Sequence, residues 1–182
     1  MAGVYKIVVT GPFNSGKTTF IDAISEIDVV STDRRVTRST GARKSRTTVA
    51  MDFGRISFPD GTVIHLYGTP GQERFGFMWE ILSEGMLGYV VLMDGSDPST
   101  FEDGKRIIET FCRMSDAPFV VGITRPDRGE CVGPDRLGSW LLPDDEIQVM
   151  QCDARRRGDV KLVLLSLMEM VLERADALEA AG

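Results

Sequence analysis

Residues 11–18 read Gly11-Pro12-Phe13-Asn14-Ser15-Gly16-Lys17-Thr18. The spacing is G-x-x-x-x-G-K-[ST], and its setting matters as much as its letters. Before it lies the short β-branched run Val4–Thr10, and after it Lys17–Ser25 reads as a helix. A loop so placed turns its backbone N–H groups onto phosphate oxygens, and the following helix adds the positive end of its dipole. Lys17 supplies a point charge for β and γ phosphates, and Thr18 offers a hydroxyl to Mg²⁺. The stretch implies binding of nucleotide phosphates. It leaves the reaction open, because kinases, motor ATPases and switches share such loops.

Working outward, strand-like and helix-like segments alternate. Strands are expected at Val49–Phe58 and Thr62–Tyr67, joined by the turn Pro59-Asp60-Gly61, then at Tyr89–Met93, Phe119–Ile123 and Glu146–Met150. Helices are expected at Glu73–Glu84, Phe101–Met114 and Val160–Ala177. Residues 26–47 read as a basic loop and Pro126–Gly138 as a charged, Gly-rich loop. Interleaved strands and helices mean βα units and right-handed crossovers. The expected fold is α/β: a P-loop NTPase three-layer fold of about six mostly parallel strands flanked by helices. One domain over residues 1–182 is expected, and ligands of such sheets bind beyond the carboxyl ends of the strands.

Composition narrows the class. With 42% hydrophobic and 26% charged residues, the chain is neither disordered nor fibrous. A net charge of −6 gives no basic footprint for nucleic acid. Cys112, Cys131 and Cys152 are too few and too scattered for a disulfide framework or a zinc motif. Neither a signal peptide nor a lipidation pattern is visible, and no apolar run approaches a membrane span, so a cytoplasmic protein is expected.

The loop after the third expected strand reads Gly68-Thr69-Pro70-Gly71-Gln72-Glu73-Arg74-Phe75. It resembles the D-T-A-G-Q-E loop of the Ras-like small GTPases. That resemblance implies a Gly71 backbone N–H on the γ-phosphate and Gln72 orienting the attacking water. Upstream, Thr47-Thr48-Val49-Ala50-Met51-Asp52-Phe53-Gly54 is similar to the family's T-x-x-x-D-F segment. Aligning Asp52 and Phe53 makes Thr48 the threonine that binds Mg²⁺ and the γ-phosphate, with Thr47 the alternative. Asn14, Ser15, Gly16, Lys17, Thr18 and Thr19 would line the phosphates, and Thr18 and Thr48 would hold the metal.

Thr124-Arg125-Pro126-Asp127 stands where the family has N-K-x-D, and Asp153-Ala154-Arg155 resembles its S-A-K loop. A carboxylate accepts both guanine N1–H and N2–H₂, whereas adenine lacks that donor pair. The resemblance thus makes Asp127 the guanine selector, puts the Ala154 N–H on guanine O6, and lays the stem of Arg155 on the base. It spans the whole chain and is nearest a bacterial branch, the gliding-motility (Mgl-type) and actinobacterial conservon GTPases. Members of that branch act with small Roadblock/LC7-fold proteins. The resemblance implies a GTP/GDP switch with Mg²⁺, slow hydrolysis, and switch loops at about residues 33–55 and 68–85.

Three departures bear on the chemistry. Gly68 replaces an Asp that helps hold Mg²⁺ through water; Thr69 or Asp52 are candidate substitutes. Phe13 replaces a Gly, which is expected to crowd the γ-phosphate, slow hydrolysis and favour an arginine supplied in cis: Arg46, then Arg43, then Arg74. Thr124-Arg125 replaces the pair that braces the phosphate loop, which is expected to lower guanine affinity and selectivity. An interaction module with negligible hydrolysis and a small-molecule kinase stay as rivals. His65 reads as a half-exposed strand residue, while Trp79 and Phe75 read as core or as a partner surface.

Overall fold

The computed structural model describes residues 3–31, 51–71, 75–142 and 147–181. Strand β1 (Val4–Thr10) leads through the phosphate loop into helix α1 (Lys17–Ile24). Then follow β2 (Val30–Ser31), β3 (Asp52–Ser57), β4 (Val63–Gly68), α2 (Gly76–Ser83) and β5 (Gly88–Asp94). A 3₁₀ turn at Pro98–Thr100 runs into α3 (Phe101–Met114). The chain continues with β6 (Phe119–Thr124), α4 (Pro134–Leu141), β7 (Gln148–Gln151) and α5 (Arg157–Ala181).

The sheet has seven strands in the order β2-β3-β4-β1-β5-β6-β7. Strand β3 is antiparallel to both its neighbours, and the remaining pairs are parallel. This is the expected α/β P-loop arrangement, with the two-residue β2 as an extra edge strand. Every residue of β5 is buried, as a strand covered on both faces requires. One core layer sets Phe20, Ile21 and Ile24 of α1 and Val160, Val163 and Leu167 of α5 against Ile7, Val9, Leu66 and Val90. The other sets Trp79, Ile107, Ile108, Phe111, Leu137 and Leu141 against Val8, Val91, Val121 and Ile123.

One expected loop is corrected. Part of Pro126–Gly138 belongs to α4, which carries Pro134 in its first turn and buries Leu137 and Leu141 one turn apart. Pro is well placed there because its missing N–H would have no intrahelical partner. Trp79 and Phe75 are core residues, and Trp79 Nε1 donates to the Pro70 carbonyl at 3.1 Å. On α2 the exposed apolar side chains are instead Phe77 and Ile81. His65 is half-buried, edge-on to Phe53 at 5.2 Å. Among the described residues no helix is long and apolar enough to cross a membrane.

Candidate nucleotide-binding site

The carboxyl ends of β1, β4, β5, β6 and β7 put their loops on one edge of the sheet. At its centre is the phosphate loop. Gly11 has φ 139° and Gly16 φ 97°, conformations that favour glycine. At Gly11 a Cβ would also stand 2.1 Å from the Leu92 carbonyl oxygen. Lys17 is buried within the loop, its Nζ donating to the carbonyls of Gly11 at 2.9 Å and Pro12 at 2.6 Å. Burial pushes its ammonium down to about 8, with the Asp52 charge opposing the shift. Thr18 and Thr19 are exposed on the first turn of α1.

The loop after β4 runs against this cradle. A Cβ at Gly71 would lie 2.6 Å from the Phe13 nitrogen, so only glycine lets the two backbones approach this closely. Gly71 therefore stands beside the phosphate loop. The Phe13 ring is 70% exposed. It lines a cavity of about 460 Å³ between the phosphate loop, α2 and α3, together with Gly71, Trp79, Arg106 and Arg113. Gln72, Arg74, Thr47, Thr48, Arg43 and Arg46 lie outside the described residues.

Gly68 has a carboxylate beside it. Asp52 and Gly68 are cross-strand partners in the β3–β4 pair. A Cβ at Gly68 would meet the Asp52 Cβ at 2.9 Å and its Oδ2 at 3.2 Å. That same Oδ2 accepts a hydrogen bond from the Thr18 hydroxyl at 2.6 Å. Thr69 is engaged elsewhere: its hydroxyl is buried and donates to Thr10 Oγ1 at 2.7 Å. Of the two candidate substitutes, Asp52 alone reaches Thr18. A hydroxyl and a carboxylate are hard oxygen donors, the chemistry that Mg²⁺ takes while keeping several waters.

The base end is assembled by β6 and β7. Thr124 and Ala154 both face Gly16, each with a carbon 3.7 Å from where its Cβ would be. The Thr124 hydroxyl donates to the Ser15 carbonyl at 2.9 Å, so this threonine ties the phosphate loop to β6. Arg155 Nη2 donates to Asp127 at 2.9 Å and to Asp153 at 2.8 Å, and Arg155 Nε adds a second bond to Asp153. Arg155 holds the Asp153 carboxyl down to about 2 and lowers that of Asp127. Arg125 pairs with Asp94 and with Asn14. Reading the sequence missed Asp94. Its signal was an acid ending a strand buried on both faces, where a charge is rare unless paired.

Comparison with known proteins agrees on nucleotide binding. The family described as conserved hypothetical ATP binding proteins matches residues 27–136, a span that begins after the phosphate loop. An uncharacterised protein of Methanocaldococcus jannaschii is 32% identical over 129 residues, covering 69% of this chain and 72% of that protein. Translation initiation factor IF-2 of Orientia tsutsugamushi is 30% identical over 188 residues, 95% of this chain but 19% of the factor. The same factor of Clostridium perfringens is 29% identical over 178 residues, 91% of this chain and 23% of the factor. The chain thus spans about a fifth of the length of these factors.

Proposed function

The chain belongs to the family of conserved hypothetical ATP binding proteins, and from that premise we propose that it is a guanine-nucleotide switch that hydrolyses GTP slowly to GDP with Mg²⁺. The observation that carries this reading is the meeting of three loops at Gly16. Thr124 and Ala154 flank that residue, and Asp127 lies three residues beyond Thr124 with its carboxylate more than half exposed. A carboxylate there suits the paired donors of guanine and repels none of them. Similarity to a translation initiation factor over 95% of this chain supports the same choice.

Within this reading Lys17 and the loop amides bind β and γ phosphates, and Thr18 and Thr48 hold the metal. Asp52 acts as the carboxylate relocated from position 68, orienting metal-bound water. Gln72 orients the attacking water, and Arg46 supplies positive charge in cis. Nucleotide state would reach a partner through the loop after β4 and through α2, whose Phe77 and Ile81 are exposed and apolar. The partner proposed for that surface is a Roadblock/LC7-fold regulator, as in the Mgl-type and conservon branch. One G domain over residues 1–182 and a cytoplasmic setting complete the proposal.

Three observations favour other readings. The family's description names ATP, and Asp127 already holds Arg155, which would leave the base less strictly read. Gly68 favours a module that binds nucleotide but barely hydrolyses it. Titration calorimetry of stripped protein with GDP and ADP, with and without Mg²⁺, followed by phosphate release from GTP, separates the three. Tight Mg²⁺-dependent GDP binding with slow GTP turnover is expected. Equal ADP binding would move the assignment to adenine. Tight GDP binding without any turnover, alone or with a Roadblock/LC7 protein, would leave the binding module.

A further inference from the structure

Helix α5 carries apolar side chains on two sides. Val160, Val163, Leu164 and Leu167 are buried in the core layer that α5 shares with α1. Leu162, Leu165 and Leu172 are instead 57%, 58% and 60% exposed. With Glu169 and Asp176 they recur at steps of three and four residues, which makes one outward stripe at 3.6 residues per turn. Helix α3 shows the ordinary pattern. Its Ile107, Ile108 and Phe111 are buried, while Glu102, Asp103, Arg106 and Arg113 face solvent. A second apolar stripe adds nothing to the fold of one copy and marks a face that another surface covers. The helix also outruns the body it packs on. From Leu172 to Ala180 every residue is exposed.

Charge says which surface fits. The start of the helix is basic, with Arg156, Arg157 and Lys161. Its far half is acidic, with Glu169, Glu173, Asp176 and Glu179. Arg174 in that half is spoken for, since it pairs with Asp116 of the body at 4.0 Å. Two such helices running the same way would set acid against acid. Running opposite ways, each basic start meets the other's acidic end, and the helix dipoles oppose. A helix whose two ends complement each other fits a second copy of itself about a two-fold axis. We propose that two copies of this chain pair through antiparallel α5 helices, with Leu162 of each opposite Leu172 of the other and Lys161 reaching Asp176. Glu169, in the middle of the stripe, keeps the apolar contact small, so the dimer is weak and depends on concentration. Helix α2, with its exposed Phe77 and Ile81, packs on the other face of the sheet, so pairing leaves that surface open.

Sedimentation velocity on the unaltered chain from about 5 to about 500 µM, the weak end of protein association, is the test. The weight-average mass is expected to rise from that of one chain towards that of two. Leu162→Gln/Leu172→Gln should weaken association at least about tenfold, because apolar area is lost on both copies. It should leave the melting temperature unchanged, since both side chains are exposed in one copy. Lys161→Glu and Asp176→Lys should each weaken association about fivefold, and the two together on one chain should restore it. Within one copy these residues stand about 22 Å apart along the helix, so recovery comes only from the second copy. A chain that stays monomeric throughout would overturn the proposal and leave the stripe to a different protein. A dimer that survives the leucine changes, or a charge exchange without recovery, would equally overturn antiparallel α5 pairing. If the leucine variant melts lower, the charge exchange decides alone.

Discussion

At the phosphate end of the site Lys17 and Ser15 are buried, and a methyl group at Gly11 or Gly71 would strike backbone. At the base end Asp127 and Arg155 are each more than half exposed and hold one another as an ion pair. The phosphate end is enforced by backbone, which has one workable arrangement. The base end is made of long side chains that exchange partners at little cost, because solvent screens an exposed ion pair. A fixed cradle of amides identifies its ligand's phosphates wherever it occurs. A pair of exposed charges identifies a base only once it is known which partner the carboxylate prefers.

The largest effect that would break this contrast lies at Lys17. Lys17→Ala is expected to weaken GDP binding about 100-fold or more, since several charge-assisted bonds vanish together. Fluorescent-nucleotide titration reads it directly, and a loss below about fivefold would mean that the cradle does not depend on this charge.

Next comes Asp52, proposed as the acid relocated from position 68. Asp52→Asn should lower affinity in Mg²⁺ about tenfold and leave affinity in EDTA unchanged. Gly68→Asp alone should be destabilising by about 1–3 kcal/mol, because its Cβ would press on Asp52. The Asp52→Gly/Gly68→Asp swap should recover both stability and Mg²⁺ dependence. Recovery of neither would show that the two positions do not share one role.

A pH effect sharpens the same end. The Lys17 pKa falls from 10.5 to about 8 on burial. The unfolded chain therefore binds the proton more tightly between those values, and stability of the nucleotide-free protein rises with pH from about 8 towards 10.5. Phosphates favour the charged lysine, so nucleotide binding takes up a fraction of a proton near pH 9 and almost none at pH 6.5. Calorimetry in buffers of differing ionisation heat measures that uptake, and equal uptake at both values would contradict it.

The smallest effect belongs to the base end. Arg155→Ala frees Asp127 and should change melting temperature hardly at all. It should alter GDP affinity by no more than about fivefold, read by the same titration. A fall as large as that for Lys17 would erase the difference between the two ends.

The same contrast explains what could be read from the letters. Gly11 to Thr18 was legible because the loop's function is its backbone, and glycine, lysine and threonine positions encode that backbone. Strand β5 and helix α3 were legible from apolar runs and spacing. Helix α4 was hidden because Gly133-Pro134-Asp135 resembles a turn, and its apolar residues Leu137 and Leu141 are few. Asp52 stood out only as part of a motif. Its meeting with Thr18 depends on the register of β3 against β4, which no local pattern states. Asp94 at the end of β5, Arg125 after β6 and Asn14 in the phosphate loop lie far apart in sequence, and only the folded sheet brings them together.

The most direct measurement is nucleotide preference of Asp127→Asn, comparing GDP with xanthosine diphosphate. Guanine offers donors at N1 and N2 to a carboxylate, whereas xanthine carries a carbonyl at C2, which the asparagine amide can meet with its own N–H. A loss of GDP affinity of about 100-fold, with xanthosine diphosphate becoming the tighter ligand, is the expected result. Unchanged GDP binding in Asp127→Asn would contradict the guanine assignment and leave the chain a P-loop protein whose base is read elsewhere.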